Sequence, residues 1–455
     1  MQRWARVMMV AAGVGAALAA GCTQPAGTAA SPEASLPASP TTLADHGMAA
    51  RWQTEVLLAP GTHLTDVWVR GGYLVCHGSD HRAYAVNART GERLWSQDLA
   101  EPHETVWPPA IYENHLWFAT TTRLIGLQGA DGRNIVRDAM TPPEDMPRLP
   151  EEAATGEATP AEEAVWGQRT EAQRRVQAEL ARIKQQQADL NAVLASKRKS
   201  IALDFAPAGP PVTDGAHLFV PDAKGWLQAV SVRAGVIGWG RWLGDTITAG
   251  PVGDTTRVYF AGHNGIVYAS TQNIRRILWQ YQTEGAITAD LRITATGTVL
   301  VGSLDYSLYA FDGASGVLEW DTLPNRRYNA GEPIRKPPYT FGEQVFLFTP
   351  KAGLTVLDTV TGKPQWQLAD GDDLVTADAD TVYVLSRSRH LLGVNRKDGS
   401  VRFDVPLRGA TLVGINETGS GLLYLATPEG RILAVAQATA EDKAKKEAEE
   451  AGLAP

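Results

Sequence analysis

The stretch LYAFDGASGVLEW, residues 308–320, recurs along the chain, and a chain that repeats one module at a steady spacing folds as an array of like units rather than around a single core. Aligned on its turn and tryptophan, it matches AYAVNARTGERLW (83–95), LQAVSVRAGVIGW (227–239), LTVLDTVTGKPQW (354–366) and, less closely, VYASTQNIRRILW (267–279). Two weaker copies, LIGLQGADGRNIV (124–136) and LLGVNRKDGSVRF (391–403), carry Val136 and Phe403 in place of the tryptophan. An eighth, ILAVAQ at 432–437, lacks its second half. Equivalent positions lie 37 to 46 residues apart, except that the step from Gly126 to Ala229 is 103.

Within one unit, residues 285–322, four period-two segments are separated by turn residues, the pattern of a four-stranded antiparallel meander. One such sheet buries too little to stand alone, whereas sheets set radially bury their faces against each other. The expected fold is therefore all-β: an eight-bladed β-propeller of four-stranded antiparallel blades spanning 50–437, with seven blades as the alternative if one weak copy is not a blade. Gly91, Gly235, Gly316, Gly362 and Gly399 sit where the tight hairpin demands positive φ. Trp95, Trp239, Trp279, Trp320 and Trp366 begin the outermost strand and are expected to wedge between neighbouring blades. The incomplete eighth copy needs a strand from elsewhere. ARWQTEVLL (50–58) places Trp52 as the other tryptophans are placed, so an N-terminal strand is expected to close the ring and remove its open edge.

The long step reads as an insertion at 138–204. MTPPEDMPRLPEEAATGEATP (140–160) is proline-rich and acidic, and the proline-free stretch 161–200 is rich in helix formers, which predicts one long α-helix. Val176, Leu180, Ile183, Leu190 and Leu194 fall on alternating steps of four and three, with Gln187 filling the remaining place, a short interrupted seam suited to a coiled coil or to a helix lying on the propeller. Set between the outer strand of one blade and the inner strand of the next, it would leave from the face that carries such connections. The tail 438–455 mixes both charge signs with alanine and reads as frayed helix or disordered chain.

The N-terminus, MQRWARVMMVAAGVGAALAAGC, has Arg3 and Arg6, an apolar run and small residues before Cys22, the plan of an export signal too short for a stable transmembrane span. Its LAAGC ending resembles the lipobox of bacterial lipoproteins, which makes Cys22 the lipidation site and the protein an envelope protein anchored to a membrane. Thr23, a non-aspartate, then favours the outer membrane. Residues 23–49, rich in Ala, Ser, Pro and Thr, read as a flexible tether. With Cys22 lipidated, Cys76 has no disulfide partner and reads as a small buried residue on a strand. The formal charge of −8 is spread over mixed signs, which leaves no footprint for nucleic acid.

Three clusters carry chemistry-bearing side chains. His77, Asp80 and His81 offer metal-ligand types but fit an inter-strand turn. Asp370, Asp372, Asp373, Asp378 and Asp380 lack the spacing of a twelve-residue calcium loop and read as two solvated turns. Arg326, Arg327, Arg335 and Lys336 crowd one connection, as a solvated loop or a landing place for an acidic partner. No catalytic, cofactor or metal set can be assembled from them.

The pattern A-x-D/N-x-x-S/T-G-x-x-x-W, met at 85–95 and 310–320, resembles the repeat of quinoprotein-like propellers, a family that includes quinone-dependent dehydrogenases and non-enzymatic relatives. The dehydrogenases are marked by adjacent cysteines that pack on the quinone; here the only cysteines are Cys22 and Cys76. The resemblance lies nearest to the BamB-type lipoproteins of the outer-membrane β-barrel assembly machinery. It implies a non-enzymatic scaffold with no cofactor that binds other envelope proteins, with a quinone- or small-molecule-binding channel as the alternative.

Overall fold

The repeat is legible in the chemistry of its third hairpin. Asp312 Oδ1 accepts the Ser315 N–H at 2.7 Å, the Gly316 N–H returns to the Asp312 carbonyl at 2.8 Å, and Gly316 adopts φ +74°. Asn87 with Gly91, Asp358 with Gly362 and Asn395 with Gly399 build the same turn, with glycine φ of +75°, +68° and +75°. In blades one, four and seven a bulge sets the aromatic opposite a small residue of the third strand: Ala85 faces Trp95, Ala269 faces Trp279 and Gly393 faces Phe403.

The computed structural model describes residues 36–112, 115–130, 201–213, 217–231, 236–254, 256–271, 276–408 and 411–442. These form eight four-stranded antiparallel sheets, each running from an innermost to an outermost strand. Blade one comprises Leu64–Arg70, Tyr73–Gly78, Arg82–Asn87 and Arg93–Asp98. Both weak copies are blades. Blade eight takes Leu412–Gly414, Leu423–Ala426 and Arg431–Gln437 from the end of the chain and Met48–Glu55 from its beginning. Met48 pairs with Gln437 and Glu55 with Arg431, and Trp52 lies opposite Ala434. The core is divided among the blade interfaces: Phe346, Phe348 and Val356 of blade six meet Leu374, Val382 and Val384 of blade seven in one cluster, and seven further clusters join the other neighbouring pairs.

Two expectations need correction. The outermost strand of blade two is Ile201–Ala202, which pairs with Arg123 and Leu124, and the Leu203 N–H follows with a bond to the Thr122 carbonyl. The long segment therefore interrupts blade two between its third and fourth strands. It does not form the connection to blade three, and it ends before residue 201 rather than at 204. The repeat alignment misses this because IA carries neither turn glycine nor tryptophan. The expected helix at 161–200, with its seam from Val176 to Leu194, lies outside the described residues; within them helix is confined to short turns such as Pro40–Asp45.

The second correction concerns the tether. Residues 36–47 are folded against blades seven and eight: Leu36, Ala38 and Leu43 are buried, and Ala38, Leu43 and Met48 share a cluster with Tyr383, Leu391, Leu425 and Val435. Arg408 N–H donates to the Pro37 carbonyl and Ala438 N–H to that of Gly47, both at 2.8 Å. A composition poor in apolar residues hid three well-placed ones, and any tether is confined to the residues before 36.

Gly362 shows how closely the blades meet. A Cβ there would collide with the Trp320 indole, on a backbone whose positive φ already disfavours a side chain. Gly362→Ala is expected to cost about 2–4 kcal/mol in chemical denaturation, from backbone strain and overpacking together. An unchanged midpoint would show that the indole yields freely.

Candidate functional site

Five indoles bind the next blade in one manner, four from outermost strands and Trp320, contrary to expectation, from the connection that precedes the outermost strand Tyr328–Asn329 of blade five. Trp52 Nε1–H donates to the Ala88 carbonyl at 3.1 Å, Trp95 to Gly129 at 2.9 Å, Trp279 to Gly313 at 3.0 Å, Trp320 to Thr359 at 2.9 Å and Trp366 to Arg396 at 2.9 Å. The turn glycine of the acceptor blade covers the ring: Gly91 lies on Trp52, Gly316 on Trp279, Gly362 on Trp320 and Gly399 on Trp366. Trp239 occupies the corresponding strand, Val236–Trp242, opposite Ala229, with the His217 ring edge-on at 4.7 Å. Gly235 and Cys22 lie outside the described residues. Sequence reasoning missed two partners. Tyr424 Oη–H donates to the same Ala88 carbonyl as Trp52, and Tyr259 Oη–H to the same Gly313 carbonyl as Trp279, each at 3.0 Å. Both tyrosines stand ten residues before the small residue opposite the tryptophan, a spacing that the aligned repeat contains.

The innermost strands surround a channel whose two sides differ. On blades two to four the lining is apolar, with Pro109, Pro211 and Pro251 among its residues. Proline is tolerated there because an innermost strand is a sheet edge with no further ladder to donate to. On the other blades the lining is charged. Arg292 of blade five reaches across the channel to Glu417 of blade eight at 3.0 Å, its guanidinium 5.4 Å from the centre of the Tyr339 ring of blade six. Lys336 Nζ lies 3.3 Å from both Asp372 and Asp373 of blade seven. Burial raises the Asp373 carboxyl above the ordinary carboxylate range despite the nearby ammonium. A cavity of about 330 Å³ opens between Arg70, Asp290, Arg292 and the prolines. Polar side chains thus converge on the axis.

Outside the channel, Trp226 and Trp242 face each other across blade three with 39% and 61% of their surface exposed, an apolar pair on the rim. The singled-out clusters serve local structure. The rings of His77 and His81 lie 5.7 Å apart, while Asp80 Oδ1 accepts the Arg82 N–H; among the described residues no group of three metal-ligating side chains forms. Asp378 Oδ1 accepts the N–H groups of Asp380 and Thr381. Arg327 pairs with Glu284 at 2.8 Å, so part of the basic connection is neutralised within the molecule. Cys76 is buried, and burial pushes its thiol up to about 12, which leaves it unreactive. Among the described residues no helix is long and apolar enough to cross a membrane.

Glu104 and Glu332 are buried carboxylates that tie connections to the neighbouring turns. Glu332 Oε1 accepts the Lys351 and Ala352 N–H groups at 2.8 and 2.9 Å, and Glu104 Oε1 accepts the Thr120 hydroxyl at 3.0 Å. Burial alone would raise both, but these donors outweigh it and hold both below the usual glutamate value. A depressed carboxyl contributes stability above its unfolded value, and that contribution is lost as pH falls through the folded one. The melting temperature is accordingly expected to decline below about pH 4, and Glu332→Gln to make the acid limb shallower. A melting curve of equal slope in both proteins would remove Glu332 from this account.

The family model described as "Outer membrane protein assembly factor BamB" matches residues 45–239, 152–332 and 223–373, which together exceed half the chain. No curated protein matches the sequence. Among solved structures, BamB from Moraxella catarrhalis is similar at a TM-score of 0.55 and 12% identity, covering 85% of this chain and 98% of its own. The computationally designed Ika8 protein is similar at 0.55 and 11%, covering 83% and 97%. At such identities the two structures attest the shared fold alone. The extent of the family match carries the assignment, and the chain belongs to the family described as outer membrane protein assembly factor BamB.

Proposed function

We propose that the protein is a non-enzymatic scaffold of the cell envelope that binds other proteins and supports outer-membrane protein assembly, held to the outer membrane on its periplasmic side by a lipid at Cys22. The family match is the observation that carries this reading. The geometry is in keeping with it: a rigid ring presents loops on two broad faces, and Trp226 and Trp242 expose apolar surface of the kind that interfaces cover.

The test is affinity capture of the tagged full chain, after crosslinking, from detergent-solubilised envelopes. Recovery of the β-barrel assembly core is the expected result, and Trp242→Ala with Trp226→Ala is expected to reduce it. The same pair of substitutions should lower thermal stability only slightly, because both side chains lie on the exposed face of the sheet and only their mutual contact and the covered part of Trp226 are lost. Capture of no envelope protein above an untagged control would overturn the scaffold reading. Metabolic labelling with a fatty acid, lost in Cys22→Ala, tests the anchor separately.

A further inference from the structure

The channel cavity has a lining that a scaffold role leaves unexplained. Two guanidinium groups enter it from blades one and five. Arg70 is held by carbonyls, Nε to Pro109 and Nη1 to Val69, both at 2.9 Å. Arg292 gives Nη2 to Glu417, but its Nε is buried and has no partner among the described residues. Beside them stands one acceptor, Asp290, whose Oδ1 takes the Gly250 N–H at 2.8 Å. The remaining wall, with Pro109, Pro211 and Pro251, is apolar, and prolines have no N–H to offer a ligand. The volume of about 330 Å³ is that of a small-molecule site.

Two cationic donors, one carboxylate acceptor and an apolar wall together describe a ligand with an anionic group, an adjacent N–H and a compact apolar body. We propose that this cavity binds an α-amino carboxylate, the chemistry shared by a free or N-acylated amino acid and by the C-terminal residue of a peptide. The carboxylate meets the Arg70 and Arg292 guanidinium groups that line the cavity, the N–H meets Asp290, and the side chain rests on the prolines. Charge-assisted bonds to guanidinium make the carboxylate the decisive group, so its amide should not replace it.

Calorimetric titration of the full chain with N-acetyl-leucine, N-acetyl-leucinamide, and the peptide Ala-Ala-Ala-Ala-Leu with a free or an amidated end tests this directly. Binding of the acids at least about tenfold tighter than their amides is expected, together with a loss of about tenfold in Arg70→Gln. Should Arg70→Gln fail to fold, Arg292→Gln, which removes the second guanidinium from the cavity lining, reads the same loss. Tighter binding of N-acetyl-leucine than of the peptide assigns the site to free acids, and the reverse order assigns it to chain ends. Equal binding of acids and amides, or no binding of any probe at millimolar concentration, overturns the proposal. The outcome is independent of protein capture, since Trp226 and Trp242 lie outside the cavity.

Discussion

Trp320→Ala is expected to be the most destabilising single substitution at a blade interface. The side chain has no exposed surface, its ring is covered by Gly362, and its Nε1–H satisfies the Thr359 carbonyl. Truncation leaves a cavity between blades five and six and an unpaired carbonyl, for about 3–5 kcal/mol in chemical denaturation. Trp320→Phe separates the two contributions, since it keeps most of the apolar burial and loses the donor, for about 1–2 kcal/mol. Trp52→Phe should cost less, because the Ala88 carbonyl retains the Tyr424 hydroxyl. Equal losses for the two phenylalanine variants would show that the indole hydrogen bond contributes little at either interface.

Deleting residues 36–55 should have the larger consequence for the whole molecule. It removes the fourth strand of blade eight, the Trp52 contact with blade one and the buried Leu43 and Met48 from the cluster between blades seven and eight. The strand Arg431–Gln437 becomes an open edge with unpaired backbone groups, and such edges recruit other chains. The expected product is a protein that melts without a cooperative transition and self-associates in sedimentation. A synthetic peptide of residues 36–58 added during refolding should restore the monomer. A truncated protein that stays monomeric and melts as the intact chain does would show that the other seven blades hold the ring alone.

The fold was legible because a turn is written in its residues. Asp312, Ser315 and Gly316 specify a turn by hydrogen bonds and positive φ, and repeating that short code marks where the third strand of most blades ends. What the repeat could not reveal lies where its code is absent. Ile201–Ala202 completes blade two with two residues that resemble nothing in the other copies, so pairing across a long interval assigns them and local pattern does not. Leu36, Ala38 and Leu43 are three apolar residues in a polar stretch, and only the groove between blades seven and eight gives them meaning. The channel was less legible still. Arg70, Asp290, Arg292 and Glu417 are scattered over nearly the whole chain, and no spacing in the sequence joins them. The ring alone brings them together.

Closing blade eight with the first strand also sets an order of events in time. Met48 leaves the ribosome among the earliest described residues and Gln437 among the last, yet the two are paired. Six blades can form by local steps and blade two closes across the long segment before Ile201, while Met48–Glu55 waits without its partner strand until synthesis ends. Folding of this protein is therefore expected to finish with one slow non-local event, during which an unpaired strand and the last blade's edge are both available to other chains. A circular permutant that links residue 442 to residue 36 and opens the loop between two other blades makes that last pairing local, and its refolding should be faster.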